Sequence, residues 1–448
     1  MNTISQKARD AGVVGAGGAG FPTHVKLGTP AEIFLVNGAE CEPLLKVDQQ
    51  LAVKYAHLLV RGLALAMQAV GAREGIIAFK AKYQEAIAAV TPLLAANMRI
   101  HILQDVYPAG DEVITIWMAT GRRVPPAGLP KDVGVGVNNV LTLINLARAV
   151  DEDAPVVDRT LTISGAVASP VTVTVPIGTS MREVIARAGG TTVAQPHFIN
   201  GGPMMGKLIE SIDQPVTKTT GGIIVLPEDH VLIRRHRQPM RDVMAIARAV
   251  CEQCNLCTEL CPRHLVGHEL HPALIVRSAN YRDIGKPSVL LSALTCSECA
   301  ICEQWACPVG ISPMRINIAL KGQFREEGAR YVGELRPQDP MAEHRLVPIS
   351  RLIARLAVGA YNKKAPLDET DYQPQRVVLP LRQHVGAPSV PVVEVGDNVR
   401  RGQPIAEIAP NALGARIHAS ISGRVETVSA HSITLVQEDT PCATTPSA

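Results

Sequence analysis

Apolar and polar positions fall along this chain in blocks whose period changes. Short apolar runs at residues 33–36, 75–79 and 99–106 read as strands, and stretches of helical period at 51–70, 83–96 and 112–119 lie between and after them. The opening segment SQKARDAGVV also reads as a helix. Strand and helix in alternation predict a layered α/β unit over residues 1–150. Residues 151–240 change character: brief strands at 161–163, 171–175 and 198–199 surround one helix at 181–188. Residues 331–375 are rich in Pro and charge around a single helical segment at 349–356, and read as a connector. From 376 to 448 the β-type runs return (VVLPL, ARIHASISGRVETV, ITLV), with turn signals at Gly402-Gln403-Pro404 and Ser422-Gly423.

A length of 448 residues suits about three domains at roughly 150 residues each. Lys and Arg total 44 against 41 Asp and Glu, so net charge gives no reason to expect nucleic acid or acidic lipid as a partner. Hydrophobic residues at 46% are enough to build cores, and aromatics at 3% argue against base- or sugar-stacking surfaces. No apolar stretch approaches the ~20 residues that span a bilayer. The first residues, MNTISQKARDAG, have no apolar signal core, so a cytoplasmic, reducing location is expected. There, ten cysteines are expected to bind metal rather than form disulfides.

Eight of the ten stand in two runs. Cys251, Cys254, Cys257 and Cys261-Pro262 follow the C-x2-C-x2-C-x3-C-P pattern of bacterial ferredoxins. Cys296, Cys299, Cys302 and Cys307-Pro308 repeat it with one extra residue before the last cysteine. Three closely spaced thiolates wrap one face of a cubane from a tight loop, and the fourth reaches the neighbouring cluster. By that rule Cys251, Cys254, Cys257 and Cys307 hold one 4Fe–4S cluster, and Cys296, Cys299, Cys302 and Cys261 hold the other. A zinc site calls for paired cysteines with a longer gap, which this spacing does not offer. Cys442, in a polar tail, reads as an incidental thiol.

Gly15-Ala16-Gly17-Gly18-Ala19-Gly20 is formally G-x-G-x-x-G, but a helix precedes it and Phe21-Pro22 follows, so the dinucleotide-fold context is absent. What remains is a loop whose bare backbone can approach a phosphate or a flat ring, with Lys26 placed to neutralise a phosphate. Polar clusters at the expected strand ends are Asn37–Pro43, Gly110-Asp111-Glu112, and Asn138-Asn139 with Thr142. Each reads either as a ligand contact at the end of an α/β sheet or as an ordinary cap or turn.

Together GAGGAGFPTHVK, NGAECEP, AGDE and VNNVLTL resemble the flavin-binding subunit of respiratory complex I and the C component of the Rnf electron-transport complex. The resemblance implies FMN, with Gly15, Gly17, Gly18 and Lys26 around its phosphate. It further implies contacts from Asn37, Glu40, Asp111, Glu112, Asn138, Asn139 and Thr142. Cys41 stands where the complex I subunit has Ser, which sets a thiol near the flavin. Of two aromatics that stack the nicotinamide nucleotide there, Phe21 matches one and the region of Thr29-Pro30 offers no second. The segment from 160 to 230 resembles a soluble-ligand-binding β-grasp domain. Its GGPMMGKL stretch misses a P-loop at Leu208, where Ser or Thr is needed. The last segment resembles a barrel-sandwich hybrid without its modification lysine.

The resulting fold class is α/β multidomain. It comprises an FMN/NADH-binding α/β domain (1–150), a β-grasp domain (151–240), a bacterial-ferredoxin-like two-cluster domain (241–330), the connector (331–375) and a barrel-sandwich hybrid (376–448). In that order the domains resemble the family of cobalamin reductases of bacterial propanediol utilisation. The family implies NADH as donor, FMN, two 4Fe–4S clusters, and single-electron delivery to cob(III)- or cob(II)alamin to support adenosylcobalamin formation. It implies a corrinoid adenosyltransferase as partner, shell proteins nearby, and a place inside a bacterial microcompartment. No general acid or base is required, because the cofactors carry the chemistry. Two other readings stand beside it: an Rnf-like subunit passing electrons to a redox protein, and a cluster relay or scaffold without flavin. Arg234, Arg235, His236, Arg237 and Arg241 read as a solvated linker or as a dock for an acidic partner. Residues 2–11 read as a helix that packs on its own domain or serves as a targeting segment.

Overall fold

A computed structural model describes residues 2–281 and 287–437. Cys442 lies outside the described residues. Among them, no helix is long and apolar enough to cross a membrane.

The first unit begins with α1 (Thr3–Asp10) and a helical turn, α2 (Thr23–Lys26). Its sheet is built from β1 (Ile33–Gly38), β2 (Glu74–Lys80), β3 (Met98–Leu103) and, after the short β4 (Val106–Tyr107), β5 (Val135–Asn139). The strands are all parallel in the order β3-β2-β1-β5. A parallel sheet is covered on both faces, which explains the unbroken apolar runs Ile33-Phe34-Leu35-Val36 and Ile76-Ile77-Ala78-Phe79. One face packs on α3 (Val47–Lys54), α4 (Ala56–Val70), α5 (Gln84–Val90) and α7 (Val140–Asp151) through Phe34, Val36, Ile77 and Phe79. The other packs on α6 (Glu112–Thr120) through Leu35, Ile76, Val135 and Val137. Gly62 lets α4 lie directly on α7, since a Cβ there would overlap the Leu143 carbonyl. The α1 face bearing Ser5 and Ala8 is buried against this core, so residues 2–11 pack on their own domain.

The helix expected at 51–70 starts earlier and breaks at Tyr55, whose non-helical backbone (φ −119°, ψ 38°) separates α3 from α4. The helix expected at 83–96 ends as α5 at Val90, ahead of Pro92.

A second sheet holds β6 (Asp158–Gly165), β7 (Val171–Pro176), β8 (Pro196–Asn200), β9 (Lys207–Leu208) and β10 (Gly222–Pro227), with α8 (Met181–Arg187) packed on it. Residues 331–375 do more than connect. The helix expected at 349–356 forms as Ile349–Arg355 with Ile349 and Leu352 buried, while Val347–Pro348 pairs with β4 and Leu367–Asp368 adds a parallel edge strand to β7, two pairings the connector reading did not include. The segment straps the first unit to the second sheet. The linker reading of 234–241 is corrected: α9 (Val231–Arg237) buries Leu232 and Ile233, and a further helix spans Met240–Val250. Arg234, Arg237 and Arg241 are exposed, while Arg235 and His236 are half-buried.

Between residues 228 and 346 the described chain contains no strand; short helices frame both cysteine runs. The described residues close with two small sheets facing each other across Val377, Leu379, Ile405, Ile417, Val425, Ile433 and Leu435.

The P-loop-like stretch binds an anion of its own chain. The amides of Met204 and Met205 donate to Glu42 Oε2 and Oε1, each at 2.9 Å, and Gly202 leaves room for that carboxylate where a Cβ would collide with it. Turn amides aimed at one point make an anion seat. Burial pushes the Glu42 carboxyl up to about 7 even so. Glu42→Ala should destabilise the first unit's seat on the second sheet by about 1–3 kcal/mol for each amide left unpaired. The lower figure applies at exposed Met205, and Glu42→Gln should recover part of the loss in urea unfolding.

Candidate functional site

The four-stranded sheet reverses its winding between β1 and β5. From β1 the chain moves outward to β2 and β3, then returns through α6 to place β5 on β1's other side. Ligands of open α/β sheets bind at such a switch point, beyond the carboxyl ends of the strands. The register pairs Val36 with Asn138 and Asn37 with Asn139, so the two polar strand ends lie side by side.

The sequence-expected residues converge there. Ala16, inside the glycine loop, donates its amide to Thr142 Oγ1 at 2.8 Å, which pins the loop to α7. Gly17 lies against the Asn139 side chain, and Gly18 has no atom within 4 Å of the position a Cβ would take. Gly17, Gly18 and Ala19 form an exposed tip. The Gly15 amide donates to the Phe21 carbonyl at 2.9 Å, closing the loop. Lys26 Nζ reaches the Val137 carbonyl and Glu112 Oε1, both at 3.0 Å. Its charge is therefore already shared with Glu112, which the expectation of a free phosphate ligand did not include. Asn37 Nδ2 donates to Gly110 O at 2.8 Å, drawing the Gly110-Asp111-Glu112 turn onto β1.

Several of these residues also do the ordinary work of caps. Asp111 Oδ1 accepts from Val113 and Ile114 at the start of α6, and Asn139 Oδ1 accepts from Leu141 at the start of α7. Cap and ligand readings coexist because a helix start at a strand end presents both. Asn138 Nδ2 and Glu40 Oε2 are shielded from solvent and have no hydrogen-bond partner among the described residues. An orphaned donor and acceptor at the strand ends, together with an exposed glycine tip packed on Asn139, fit a polar flat-ring cofactor with a phosphate.

Sequence reasoning missed three groups here. Asp48 accepts from Asn139 Nδ2 at 2.6 Å, Arg159 donates to Ala16 O at 2.9 Å and to Thr220 O at 2.5 Å, and Tyr83 Oη donates to Glu40 O at 3.1 Å. Asp48 looks like a helix-start acid in sequence. Arg159 gave one signal: it stands in phase with buried Leu161 and Ile163 on a strand. Burial raises the Glu40 carboxyl, and burial together with Glu40's charge pushes Asp48 up to about 8. The two behave as one coupled pair. The folded pair holds a proton that the unfolded chain, with Asp near 3.8, releases. Its stabilisation is therefore complete at low pH and is lost as pH rises through about 8. In the flavin-free protein, Asp48→Asn should gain thermal stability relative to wild type as pH is raised from 6 to 8; a constant difference would refute the shared proton.

The cysteine loops repeat one backbone. Gln253 and Asn255 flank Cys254 with positive φ (54° and 67°), and Glu298 and Ala300 flank Cys299 likewise (61° and 64°). Non-glycine residues in that region cost on the order of 1 kcal/mol each, and such strain concentrates where a loop closes around a ligand. The extra residue of the second run has a structural answer. Leu256–Glu259, after Asn255, is α-helical, whereas Ile301–Ala306, after Ala300, is a π-helical turn. A π turn absorbs one added residue, so the fourth cysteine again follows one turn after the third.

The thiols sort into two neighbourhoods. Burial pushes the Cys257 thiol up to about 12, and Cys307, Cys254 and Cys251 add to the rise. Burial raises Cys302 well above the thiol range, with Cys296, Cys299 and Cys261 adding. Backbone amides donate to sulfur: Ile311 to Cys307 at 3.2 Å and Glu298 to Cys296 at 3.4 Å. Four soft sulfur donors in each neighbourhood, with N–H groups aimed at sulfur, fit iron–sulfur clusters, whose iron supplies the charge that holds buried thiolates ionised. Cys254 is exposed, while Cys261, Cys299, Cys302 and Cys307 are buried.

Two contacts join the strand-end site to the second neighbourhood. Tyr107 Oη donates to Cys299 O at 2.8 Å, and Arg263, two residues after Cys261, pairs with Asp111 at 2.9 Å with both side chains largely buried. Cys41 lies beside the strand-end turn, with its Sγ against Gly110.

Residues 8–148 match the Nuo51 FMN-binding domain, 160–208 the SLBB domain, 250–312 the 4Fe-4S dicluster domain and 360–445 the RnfC barrel sandwich hybrid domain. The C component of the Na(+)-translocating ferredoxin:NAD(+) oxidoreductase complex of Acetobacterium woodii is 36% identical over 59% of this chain and 58% of its own. The cobalamin reductase PduS of Citrobacter freundii is 60% identical over 97% of this chain and 96% of its own length. That of Salmonella typhimurium is 62% identical over the same shares. With near-complete coverage in both directions at that identity, the chain belongs to the family of the cobalamin reductase PduS.

Proposed function

We propose that this chain is an NADH-dependent flavin and iron–sulfur oxidoreductase that reduces cobalamin. FMN is held by Gly15, Gly17, Gly18, Lys26, Asn37, Glu40, Asp111, Glu112, Asn138, Asn139 and Thr142. Cys251, Cys254, Cys257 and Cys307 hold one 4Fe–4S cluster, and Cys296, Cys299, Cys302 and Cys261 hold a second. When bound, FMN supplies the conversion of a hydride's electron pair into single electrons, and the clusters supply one-electron carriage.

The chain's own residues provide position and charge. The glycine tip offers bare backbone to a phosphate, with Lys26 as the nearby cation. Asn138 Nδ2 offers a donor and Glu40 an acceptor to the ring. The Glu40–Asp48 pair keeps a proton at the site near neutral pH. The amides of Ile311 and Glu298 offset thiolate charge at Cys307 and Cys296. The observation that carries the reading is the direct bonding of the two sites, through Tyr107 to Cys299 and Asp111 to Arg263. On this reading the product passes to a corrinoid adenosyltransferase within a microcompartment of propanediol degradation.

The likeness to the ferredoxin:NAD(+) oxidoreductase component favours a second reading, in which the acceptor is a redox protein. Anaerobically reconstituted protein with NADH should reduce hydroxocobalamin faster than it reduces an oxidised ferredoxin. The reverse order would install the second reading, and protein that takes up no FMN would leave only a cluster relay.

A further inference from the structure

An open cavity of about 960 Å³ lies apart from the strand-end site, between α9, the turn after β10 and the loop before β8. That volume is at the upper end for small-molecule sites. Its apolar part comes from Ala194 and Val231 and its amides from Gln195 and Gln238. The helix α9 turns Leu232 and Ile233 into the core, which leaves Arg234 and Arg235 on the cavity side.

The cavity backs onto the cysteine loops. Arg235 Nη1 donates to Glu303 O at 3.2 Å and also bonds the Gln304 side chain, and both residues lie between Cys302 and Cys307. Arg355 Nη2 reaches Cys307 O at 3.3 Å from the strap helix. A ligand seated here rests against the segment that joins the two cysteine neighbourhoods.

The charges at the mouth are unequally engaged. Arg235 is committed to the loop, and Arg237 pairs with Glu228 at 2.5 Å. Arg234 is exposed and makes no side-chain hydrogen bond or ion pair among the described residues. The site thus offers one free cation, amide groups and an apolar floor to something broad. Glu228 and Asp229 at the same rim disfavour an acidic protein face.

A cobalamin is a flat macrocycle edged with primary amides and carrying one phosphodiester. We propose that this cavity is the corrinoid-docking site, with Arg234 on the phosphodiester and Gln195 and Gln238 on the ring's amides. The proposal rests on the reading that cobalamin is the acceptor.

The test uses reconstituted holoprotein and two substitutions. Ala194→Trp fills the cavity from an exposed loop, and Arg234→Ala removes the free charge. The readout is the rate of hydroxocobalamin reduction divided by the rate of ferricyanide reduction, both with NADH, together with hydroxocobalamin affinity by equilibrium dialysis. The ratio cancels losses of folded, loaded protein. Ala194→Trp should lower ratio and affinity by about tenfold or more. Gln238→Trp, filling the same space from α9's end, should act in the same direction. Arg234→Ala should weaken hydroxocobalamin binding about fivefold, the size of one solvent-exposed ion pair, and leave cobinamide, which lacks the phosphodiester, unaffected. Unchanged cobalamin reduction in both Trp variants would overturn the docking site while leaving the function standing. Equal weakening of both corrinoids would overturn the role of Arg234. Wild-type protein that reduces ferricyanide but not cobalamin would overturn site and function together.

Discussion

Cys257→Ala should remove about half of the bound iron, and Cys257→Ala with Cys307→Ala should remove no more, because both then fall in one four-thiolate set. Cys302→Ala with Cys307→Ala should instead remove nearly all of it, one ligand being lost from each set. This contrast follows from the cross-ligation expected of two ferredoxin-type runs, and Cys307 and Cys261 stand among the neighbours that raise the Cys257 and Cys302 thiols. If each run held its own cluster, the outcomes would exchange: the Cys302–Cys307 pair would cost half the iron and the Cys257–Cys307 pair all of it. Iron per protein after anaerobic reconstitution, read beside the absorbance near 400 nm, decides the matter. Cobalamin reduction should fall to background in every variant, since a relay with one carrier missing does not conduct, while flavin bleaching by NADH should persist.

Spacing made the cysteines legible, because a cubane dictates ligand intervals that little else demands. Spacing said nothing of how the extra residue before Cys307 is absorbed, since a π turn has no sequence signature separate from the insertion itself. The strand-end residues were legible as motifs in a family's order. Their mutual geometry was not, because the parallel register that sets Asn37 beside Asn139 joins segments about a hundred residues apart. The two pairings within residues 331–375 escaped the sequence for a physical reason: Pro and charge dominate the composition, but a strap needs only a few well-placed groups. Val347 against Tyr107, Leu352 in the core and Leu367 beside Thr172 suffice. The basic stretch misled likewise, four cationic residues hiding the buried pair Leu232-Ile233. The GGPMMG turn lacks the hydroxyl that a P-loop needs at Leu208, yet its amides still seat an anion, the carboxylate of Glu42.

Arg159→Met should be the most damaging single change outside the cysteines, by about 3–5 kcal/mol at neutral pH. Arg159 is 4% exposed, and burial holds its guanidinium down to about 10, against the pull of Asp48 and Glu40. It is the cation that offsets the charge remaining on that carboxyl pair. It also clamps the glycine loop to the second sheet, through the Ala16 and Thr220 carbonyls. Methionine fills the space but leaves two carbonyls unpaired and the pair's negative charge uncompensated. The carboxyls can respond by taking a second proton, at a cost that grows with pH. The loss of stability should therefore be smaller at pH 5 than at pH 8, and combining Arg159→Met with Asp48→Asn should recover part of it at pH 8. A pH-independent loss would mean that the clamp on the two carbonyls, not the charge, is what Arg159 provides. Flavin affinity separates the roles further: Arg159→Lys keeps the charge but cannot span both carbonyls in one plane. It should restore stability more fully than FMN binding, since the loop proposed to cradle the phosphate is held by the bond to Ala16.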